Sequence, residues 1–216
     1  VLTDLSKEHI RQIQECSVII ADVLDYNADI VITGNKFDNF NKYKNLKWVH
    51  TTFAGVENLL TEEIRKSDVI ITNSRGVNSI PVAEHSMALI LAFERNLKEA
   101  ILAQARKQWN RPKNAGELKG KTVGILGLGA IGTKLAELSK SFGCNVIALS
   151  KDNVYSHHVD KMYSTADLTK LLTKSDYLVI CTPLTKETRY LIGEKELKVM
   201  KKSAVIINVG RGAIIH

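Results

Sequence analysis

Residues 121–132, KTVGILGLGAIG, constrain the fold of this chain more than any other feature. The branched run 123–126 is typical of a buried parallel strand, and residues 133–142 continue with a helical pattern. Between them, three glycines follow the spacing G-x-G-x-x-G: Gly127, Gly129 and Gly132. A strand, a glycine turn and a helix in this order predict a dinucleotide-binding βαβ unit.

Each of these glycines has a physical task in such a unit. Gly127 permits a tight turn out of the strand, and Gly129 lets the backbone approach a pyrophosphate. Gly132 allows the helix to pack closely on the strand, while the first amides of the helix face the phosphates. The alternative is a glycine turn that binds no ligand, which the strand–turn–helix context disfavours.

Strands alternate with helices along the chain, which predicts an α/β fold with a doubly wound parallel sheet. The predicted strands are residues 17–21, 30–33, 46–52, 68–72, 123–126, 145–149, 177–181 and 204–209. The predicted helices are residues 5–15, 59–66, 79–109 (as one helix or as two broken near 95–97), 133–142, 168–173 and 195–201. Residues 1–95 form the first predicted domain and residues 96–216 the second.

The segment 87–93 is apolar on nearly every side of its helix, so we expect it to be buried between layers or domains. The long helical segment carries more apolar surface than one small domain can cover. We therefore expect a symmetric homodimer that buries part of it.

Composition limits the classes of partner. The net charge of +7 comes from 30 basic and 23 acidic residues that are scattered along the chain, so a solvated surface favouring anionic ligands is expected rather than nucleic acid. No apolar run approaches the ~20 residues that span a bilayer, and we expect no membrane partner. Cys16, Cys144 and Cys181 have no metal-ligand spacing, which indicates no metal site and favours a reducing, cytoplasmic location.

Five blocks together resemble the D-isomer-specific 2-hydroxyacid dehydrogenase family, most closely its glyoxylate/hydroxypyruvate reductase branch. They are WVHTTFAGVE, NSRGVNSIPVAEHSMALILAFERNL, GKTVGILGLGAIG, DYLVICTPLTKETRYLIG and MKKSAVIINVGRGAII. The resemblance implies a Rossmann-type cofactor domain, a smaller flavodoxin-like substrate domain, and hydride transfer between nicotinamide and C2 of a small 2-oxo or 2-hydroxy acid. It also implies that both domains are incomplete here.

The resemblance assigns Arg211, within Gly210-Arg211-Gly212, to the substrate carboxylate. A guanidinium offers two parallel donors that match a carboxylate, and ligands of such sheets lie at the carboxyl ends of the strands. The alternative is an arginine on a surface turn that forms a salt bridge.

The resemblance assigns Ala54, Gly55 and Val56 to a loop whose backbone amides hold the substrate carboxylate, as an anion nest would. The family usually has Asp where this chain has Glu57, which leaves any capping role of that carboxylate open. A plain tight turn is the alternative.

On the cofactor side, the resemblance implies pyrophosphate contacts from the backbone, contacts along the adenosine and nicotinamide-ribose stretch, and contacts to the nicotinamide end. Ala130 and Ile131 are assigned to the pyrophosphate. Thr182, Pro183 and Thr188 are assigned to the adenosine and nicotinamide-ribose stretch. Val209, Gly210 and Arg211 are assigned to the nicotinamide end. Ordinary loop chemistry is the alternative for Pro183 and Thr188.

Ser150 and Lys151 bear on the choice between NADP and NAD. A site that prefers NAD has an acidic residue near the end of the second strand, whereas this chain has a hydroxyl and a cation there, followed by Asp152. A cation suits a 2′-phosphate. We therefore expect NADP to be preferred, with NAD and a merely solvated lysine as alternatives.

Family members also use a His as general acid/base and a Glu that orients it. We expect both to lie outside this chain, which we interpret as a fragment without the first strand and the carboxyl third, inactive alone. Two functions remain open: a 2-oxo acid reductase, or a protein on the same fold that senses a dinucleotide or binds a partner without turnover. Oxidation of formate or phosphite is a weaker third possibility.

Overall fold

The computed structural model describes residues 25–34, 36–110, 115–152 and 154–216, together with Glu8, Arg11, Gln12 and Glu15, which are helical. The chain divides into two compact units, Val1–Val77 and Asn78–His216. The predicted strand 17–21 and most of the predicted helix 5–15 lie outside the described residues.

The described residues of the first unit form a three-stranded parallel sheet. Its strands are β1 (Ile30–Thr33), β2 (Trp48–Thr51) and β3 (Ile70–Asn73), in the order β1-β2-β3. The short helix α1 (Glu62–Arg65) begins where the Thr61 hydroxyl accepts the Ile64 amide, and a 3-10 turn spans Phe40–Lys42. Among the residues of this unit that the structure describes, five apolar side chains form the buried core: Val31, Phe37, Val49, Leu59 and Ile64.

The second unit contains a five-stranded parallel sheet with the order β6-β5-β4-β7-β8. Its strands are β4 (Thr122–Leu126), β5 (Asn145–Leu149), β6 (Lys161–Tyr163), β7 (Tyr177–Ile180) and β8 (Val205–Asn208). Its helices are α2 (Ser79–Glu94), α3 (Leu97–Ala105), α4 (Ala130–Ser141), α5 (Leu168–Lys174) and α6 (Glu194–Val199), with 3-10 turns at Thr165–Asp167 and Gly212–Ile214. The strand order reverses between β4 and β7, which makes this the switch point of the sheet.

Alternate side chains of the central strand β4 enter two separate cores. Val123 and Ile125 pack with α2 and α4, while Leu126 packs with Leu171 and Leu172 of α5. Helices on both faces of a parallel sheet confirm the predicted doubly wound α/β class. The strand β6 was not predicted, because its three residues, KMY, contain no branched run.

The boundary between the two units differs from the predicted one. It falls between Val77 and Asn78 rather than between residues 95 and 96. The reason is that α2 belongs to the core of the second unit, where Ala83, Met87 and Ile90 are buried with α4.

The expectation that segment 87–93 is buried throughout is wrong for part of it. Met87 and Ile90 are 4% and 0% exposed, whereas Leu89 and Phe93 are 42% and 61% exposed. One side of α2 packs on α4, and the apolar residues on its other side remain on the surface. The predicted helix break is present: Arg95 and Asn96 separate α2 from α3, and Asn96 has a left-handed φ of 50°.

Carboxylates hold the strands in place at the amino edge of the five-stranded sheet. Asp176 accepts the Thr122 amide at 2.8 Å and the Lys201 ammonium at 2.8 Å, and Asp160 accepts the Val146 amide at 2.7 Å and Lys140 at 2.8 Å. Burial pushes the pKa of Asp176 upward, but these hydrogen bonds outweigh it and the net pKa is lowered. The Lys140 hydrogen bond, followed by the Val146 amide, lowers the pKa of Asp160.

Glu94, the last residue of α2, is a buried carboxylate at the same edge. It is 8% exposed and accepts the Tyr177 hydroxyl. Burial, followed by the hydrogen bond to Glu94, raises the pKa of Tyr177.

None of the helices in the described ranges combines the length and the apolar character that a membrane span requires.

Candidate functional site

The predicted cofactor residues follow four strands of the second unit. Gly127 follows β4, Ser150 follows β5, Thr182 comes two residues after β7, and Val209 follows β8. Because these strands are parallel, their carboxyl ends form one edge of the sheet. Backbone hydrogen bonds continue past the strand ends, from Gly127 N to Leu149 O at 2.8 Å and from Val209 N to Ile180 O at 3.1 Å.

Two glycines after β4 have no room for a side chain. Gly127 has φ +101°, and a Cβ on it would lie 2.8 Å from the Thr182 nitrogen. A Cβ on Gly132 would collide with the Gly127 carbonyl oxygen and lie 3.1 Å from the Ile125 Cγ2. The first glycine therefore makes the turn and the last one lets α4 pack on β4, which are the roles expected for a dinucleotide fold.

The amino end of α4 fits an anion. Gly129 is its N-cap and supplies no side-chain cap, and its first turn contains no acidic residue. The leading amides of a helix need an acceptor from outside the helix, and the helix dipole favours a negative one. Ala130 and Ile131 open α4, so the predicted pyrophosphate contacts fall at this end.

The ends of β7 and β8 lie beside this turn. A Cβ on Gly210 would lie 2.7 Å from the Thr182 carbonyl oxygen, and Thr182 is also the neighbour of Gly127. Gly127, Thr182 and Gly210 are therefore adjacent at the carboxyl edge.

Arg211 is exposed, and its turn is held by a residue that sequence reasoning missed. The Asn208 carboxamide accepts the Gly210 amide at 3.0 Å and donates to the Arg211 carbonyl at 2.9 Å. Arg211 also donates from Nη1 to the Gly210 carbonyl at 3.2 Å. The only signal of this contact in the sequence was an asparagine at the end of a strand, two residues before a glycine.

The Thr188 hydroxyl forms hydrogen bonds within its own loop. Its hydroxyl donates to the Pro183 carbonyl at 2.7 Å and accepts the Thr185 amide at 2.7 Å. The structure thus brings Pro183 and Thr188 together, and the hydroxyl braces the loop that follows β7.

The residues predicted to select the cofactor lie at the end of β5. Ser150 accepts the Asp152 amide at 3.3 Å, and Lys151 is exposed. The Thr185 hydroxyl is the main cause that lowers the pKa of Glu187, and the charges of Lys151 and Lys186 lower it further. Sequence reasoning did not identify Glu187 as an acidic neighbour of Lys151.

In the first unit, the predicted substrate loop follows β2. Among the residues that the structure describes, none accepts the amide N–H groups of Ala54, Gly55 and Val56. The Asn73 carboxamide donates to the Ala54 carbonyl at 2.7 Å. The loop is thus held through a carbonyl group while its amides stay available to an anion.

The described residues contain no group of three or more His, Cys, Asp or Glu side chains that could hold a metal ion. Cys144 and Cys181 are free thiols, and Cys16 lies outside the described residues. Burial raises the pKa of Cys181 to about 12, so the thiol stays protonated at neutral pH.

The glycine turn, the open end of α4 and the switch point define a dinucleotide-binding α/β domain. Residues 87–216 match the family described as D-isomer specific 2-hydroxyacid dehydrogenase, NAD binding domain. The chain belongs to the D-isomer-specific 2-hydroxyacid dehydrogenase family.

Individual relatives agree with this assignment. D-3-phosphoglycerate dehydrogenase of Methanocaldococcus jannaschii is 33% identical over 100% of this chain and 40% of its own length. Glyoxylate reductase of Aeropyrum pernix is 38% identical over 82% of this chain and 56% of its own. This chain therefore spans about half the length of these curated relatives.

The crystal structure of a D-isomer specific 2-hydroxyacid dehydrogenase family protein from Aeromonas salmonicida is similar, with a TM-score of 0.86 and 28% identity. The match covers 97% of this chain and 71% of that one.

Proposed function

We propose that the full-length protein is an NAD(P)-dependent oxidoreductase that transfers a hydride between nicotinamide and C2 of a small 2-oxo or 2-hydroxy acid. Glyoxylate and hydroxypyruvate are the proposed substrates. The observation that carries the proposal is the exposed Arg211, which lies in the turn after β8 at the carboxyl edge of the five-stranded sheet. A cation and an anion-binding glycine turn on one sheet edge suit an anionic substrate and a dinucleotide.

Arg211 binds the substrate carboxylate through two parallel N–H donors. Its fixed positive charge also stabilises the negative charge that grows on the C2 oxygen during reduction, which is where electrostatic catalysis is most effective. Asn208 positions this arginine by bonding to the backbone on both of its sides. Within the first unit, the Ala54, Gly55 and Val56 amides are also proposed donors to a carboxylate.

A bound nicotinamide dinucleotide supplies the hydride. The Ala130 and Ile131 amides hold its pyrophosphate, and Thr182, Pro183, Val209 and Gly210 line the remainder. Lys151, with Ser150, binds a 2′-phosphate, so NADP is the proposed preference. We assign the accompanying proton transfer to none of these residues.

A homodimer is also proposed. Four exposed apolar residues lie on α2 and α3 at intervals of four residues. They are Leu89, Phe93, Leu97 and Ile101, which are 42%, 61%, 43% and 61% exposed. An exposed apolar stripe of this length commonly marks a protein interface. The two free thiols suit a reducing compartment such as the cytoplasm.

Oxidation of NADPH by the full-length protein, with glyoxylate or hydroxypyruvate, tests the proposed activity. Turnover that saturates with the oxo acid is the expected result. Tight binding of the cofactor without turnover on any 2-oxo acid would favour the non-catalytic alternative, a protein that senses a dinucleotide or binds a partner.

A further inference from the structure

A chain of hydrogen bonds crosses from β2 to β3 beside the loop 53–56. Trp48 donates from Nε1 to the Thr72 hydroxyl at 2.7 Å, and Thr72 lies 2.8 Å from the Nδ1 of His50. The other ring nitrogen, Nε2, lies 3.1 Å from the Ser74 hydroxyl, which donates to the Thr51 carbonyl at 3.2 Å. The imidazole thus joins the two strands at their carboxyl ends.

The directions of these bonds fix the tautomer of His50. The Ser74 hydroxyl has one proton, which it gives to Thr51, so it must accept a proton from Nε2. In a neutral imidazole Nδ1 is then bare and accepts the Thr72 hydroxyl, which in turn accepts the Trp48 N–H. In this tautomer each hydroxyl donates once and accepts once, and the ring proton lies on Nε2.

This chain of hydrogen bonds ends at Thr51, the last residue of β2, after which the loop 53–56 leaves the sheet. The Thr51 carbonyl also accepts the Ser74 amide at 3.1 Å, and the Thr51 hydroxyl accepts the Phe53 amide at 3.1 Å. Thr51 is itself 0% exposed, and its hydroxyl donates to the Gly34 carbonyl at 2.7 Å. The Ser74 amide also lies 3.3 Å from the Phe53 carbonyl, so whatever fixes Ser74 also fixes the carbonyl groups with which the loop begins.

We propose that His50 is a positioning residue for the substrate carboxylate, acting through Ser74 and Thr51 on the amides of Ala54, Gly55 and Val56. The proposal rests on the proposed function, which gives these amides their ligand. His50 touches neither substrate nor cofactor in this account. Its loss changes how the loop presents its donors and leaves the cofactor site in the second unit intact.

Kinetics of the full-length protein with glyoxylate and NADPH test this role. His50→Phe keeps a planar ring and removes both nitrogens, so we expect KM for glyoxylate to rise about tenfold, equivalent to about 1.4 kcal/mol. We expect kcat and the Kd of NADPH to stay within about twofold. The loop binds the carboxylate equally well in the ground state and in the transition state, so weakening it raises KM and leaves kcat unchanged. The proposed NADPH site lies in the second unit. His50→Gln, which retains a donor and an acceptor, restores most of the affinity.

Ser74→Ala and the double variant sharpen the test. Ser74→Ala should match His50→Phe, and the double variant should be no worse than either, because residues that act in one chain are non-additive. His157→Phe, at an exposed histidine of the second unit, is the matched control. The proposal is overturned by an unchanged KM in His50→Phe, or by a joint loss of kcat, NADPH affinity and melting temperature that glutamine does not restore.

Hydrogen exchange of the Ser74 amide separates this proposal from the proposed function. If the wild-type protein turns over no 2-oxo acid, the proposed function fails and exchange alone decides the positioning role. Faster exchange in His50→Phe that returns to the wild-type rate in His50→Gln supports the role. Identical exchange in all three proteins overturns it.

Discussion

Backbone amides at the two edges of the five-stranded sheet differ in whether a side chain accepts their hydrogen bond. At the amino edge, the Thr122 and Val146 amides are bonded to the carboxylates of Asp176 and Asp160. At the carboxyl edge, α4 begins at Gly129 with no side-chain cap. The leading amides of a helix need an acceptor from outside the helix, so the uncapped start of α4 suits an anionic ligand.

The difference teaches that stability and binding are divided between the ends of the same strands. The amino edge uses acidic side chains to satisfy the protein itself, as Glu94 also does for Tyr177. The carboxyl edge uses glycine, a brace at Asn208 and an exposed cation at Arg211. Substitutions at one edge should therefore alter ligand binding, and those at the other should alter folding.

The largest expected effect is at Arg211. Removing the guanidinium in Arg211→Met should lower kcat/KM for glyoxylate about 10²- to 10³-fold, the usual cost of one group that stabilises charge in the transition state. Steady-state kinetics of the full-length protein measures it. Arg189→Met, at another exposed arginine, is the control and should stay near wild type. Equal activities of the two variants would remove Arg211 from the site.

The next effect is at the glycine turn. Gly132→Ala places a methyl group against the Gly127 carbonyl oxygen, and the overpacking of about 1–3 kcal/mol should weaken NADPH binding about 10- to 100-fold. Titration calorimetry measures the Kd. In Gly212→Ala the added methyl group meets no atom within 4 Å, so its affinity and melting temperature serve as the reference. Unchanged affinity in Gly132→Ala contradicts the assigned turn.

A smaller effect is expected at Lys151. Loss of this cation in Lys151→Ser should raise the KM for NADPH about tenfold, the weight of one charge-assisted contact of about 1.4 kcal/mol. The KM for NADH should not change, because NADH has no 2′-phosphate. Lys195→Ser, at an exposed lysine of α6, controls for net charge. A wild-type protein that uses NADH better than NADPH would refute the NADP preference.

The smallest effect is at the amino edge and concerns stability alone. Asp176→Asn should lower the free energy of unfolding by about 1 kcal/mol, or the melting temperature by roughly 2–4 °C, and leave NADPH affinity unchanged. Because the pKa of Asp176 is lowered by folding, its contribution is present above the ordinary carboxyl value of 3.8 and is lost as the pH falls through the folded value. Unfolding measured between pH 7 and 3 should show the two proteins converging, and a constant difference would contradict this.

The sequence predicted the parts of the molecule that depend on neighbours along the chain. The glycine turn was predicted because Gly127 and Gly132 act within one strand–turn–helix segment. Seven of the described strands were likewise predicted, with ends that differ by at most two residues, because each is a run of branched or alternating residues.

Features that depend on distant partners could not be predicted. The sequence marks Leu89 and Met87 as equally apolar, and only packing on α4 decides which one is buried. His50 and Asn208 have no local motif, since their roles arise from hydrogen bonds made across strands or around a turn. The acidic neighbour of Lys151, Glu187, lies 36 residues further along the chain (187 − 151), and only the sheet order brings the loops after β5 and β7 to one edge.

Calorimetric titration of the full-length protein with NADPH and with NADH tests the central claim most directly. The account predicts saturable heat with at least one of the two cofactors, at one site per chain, and a larger affinity for NADPH. The absence of heat with both cofactors would contradict the claim that the carboxyl edge of this sheet binds a nicotinamide dinucleotide.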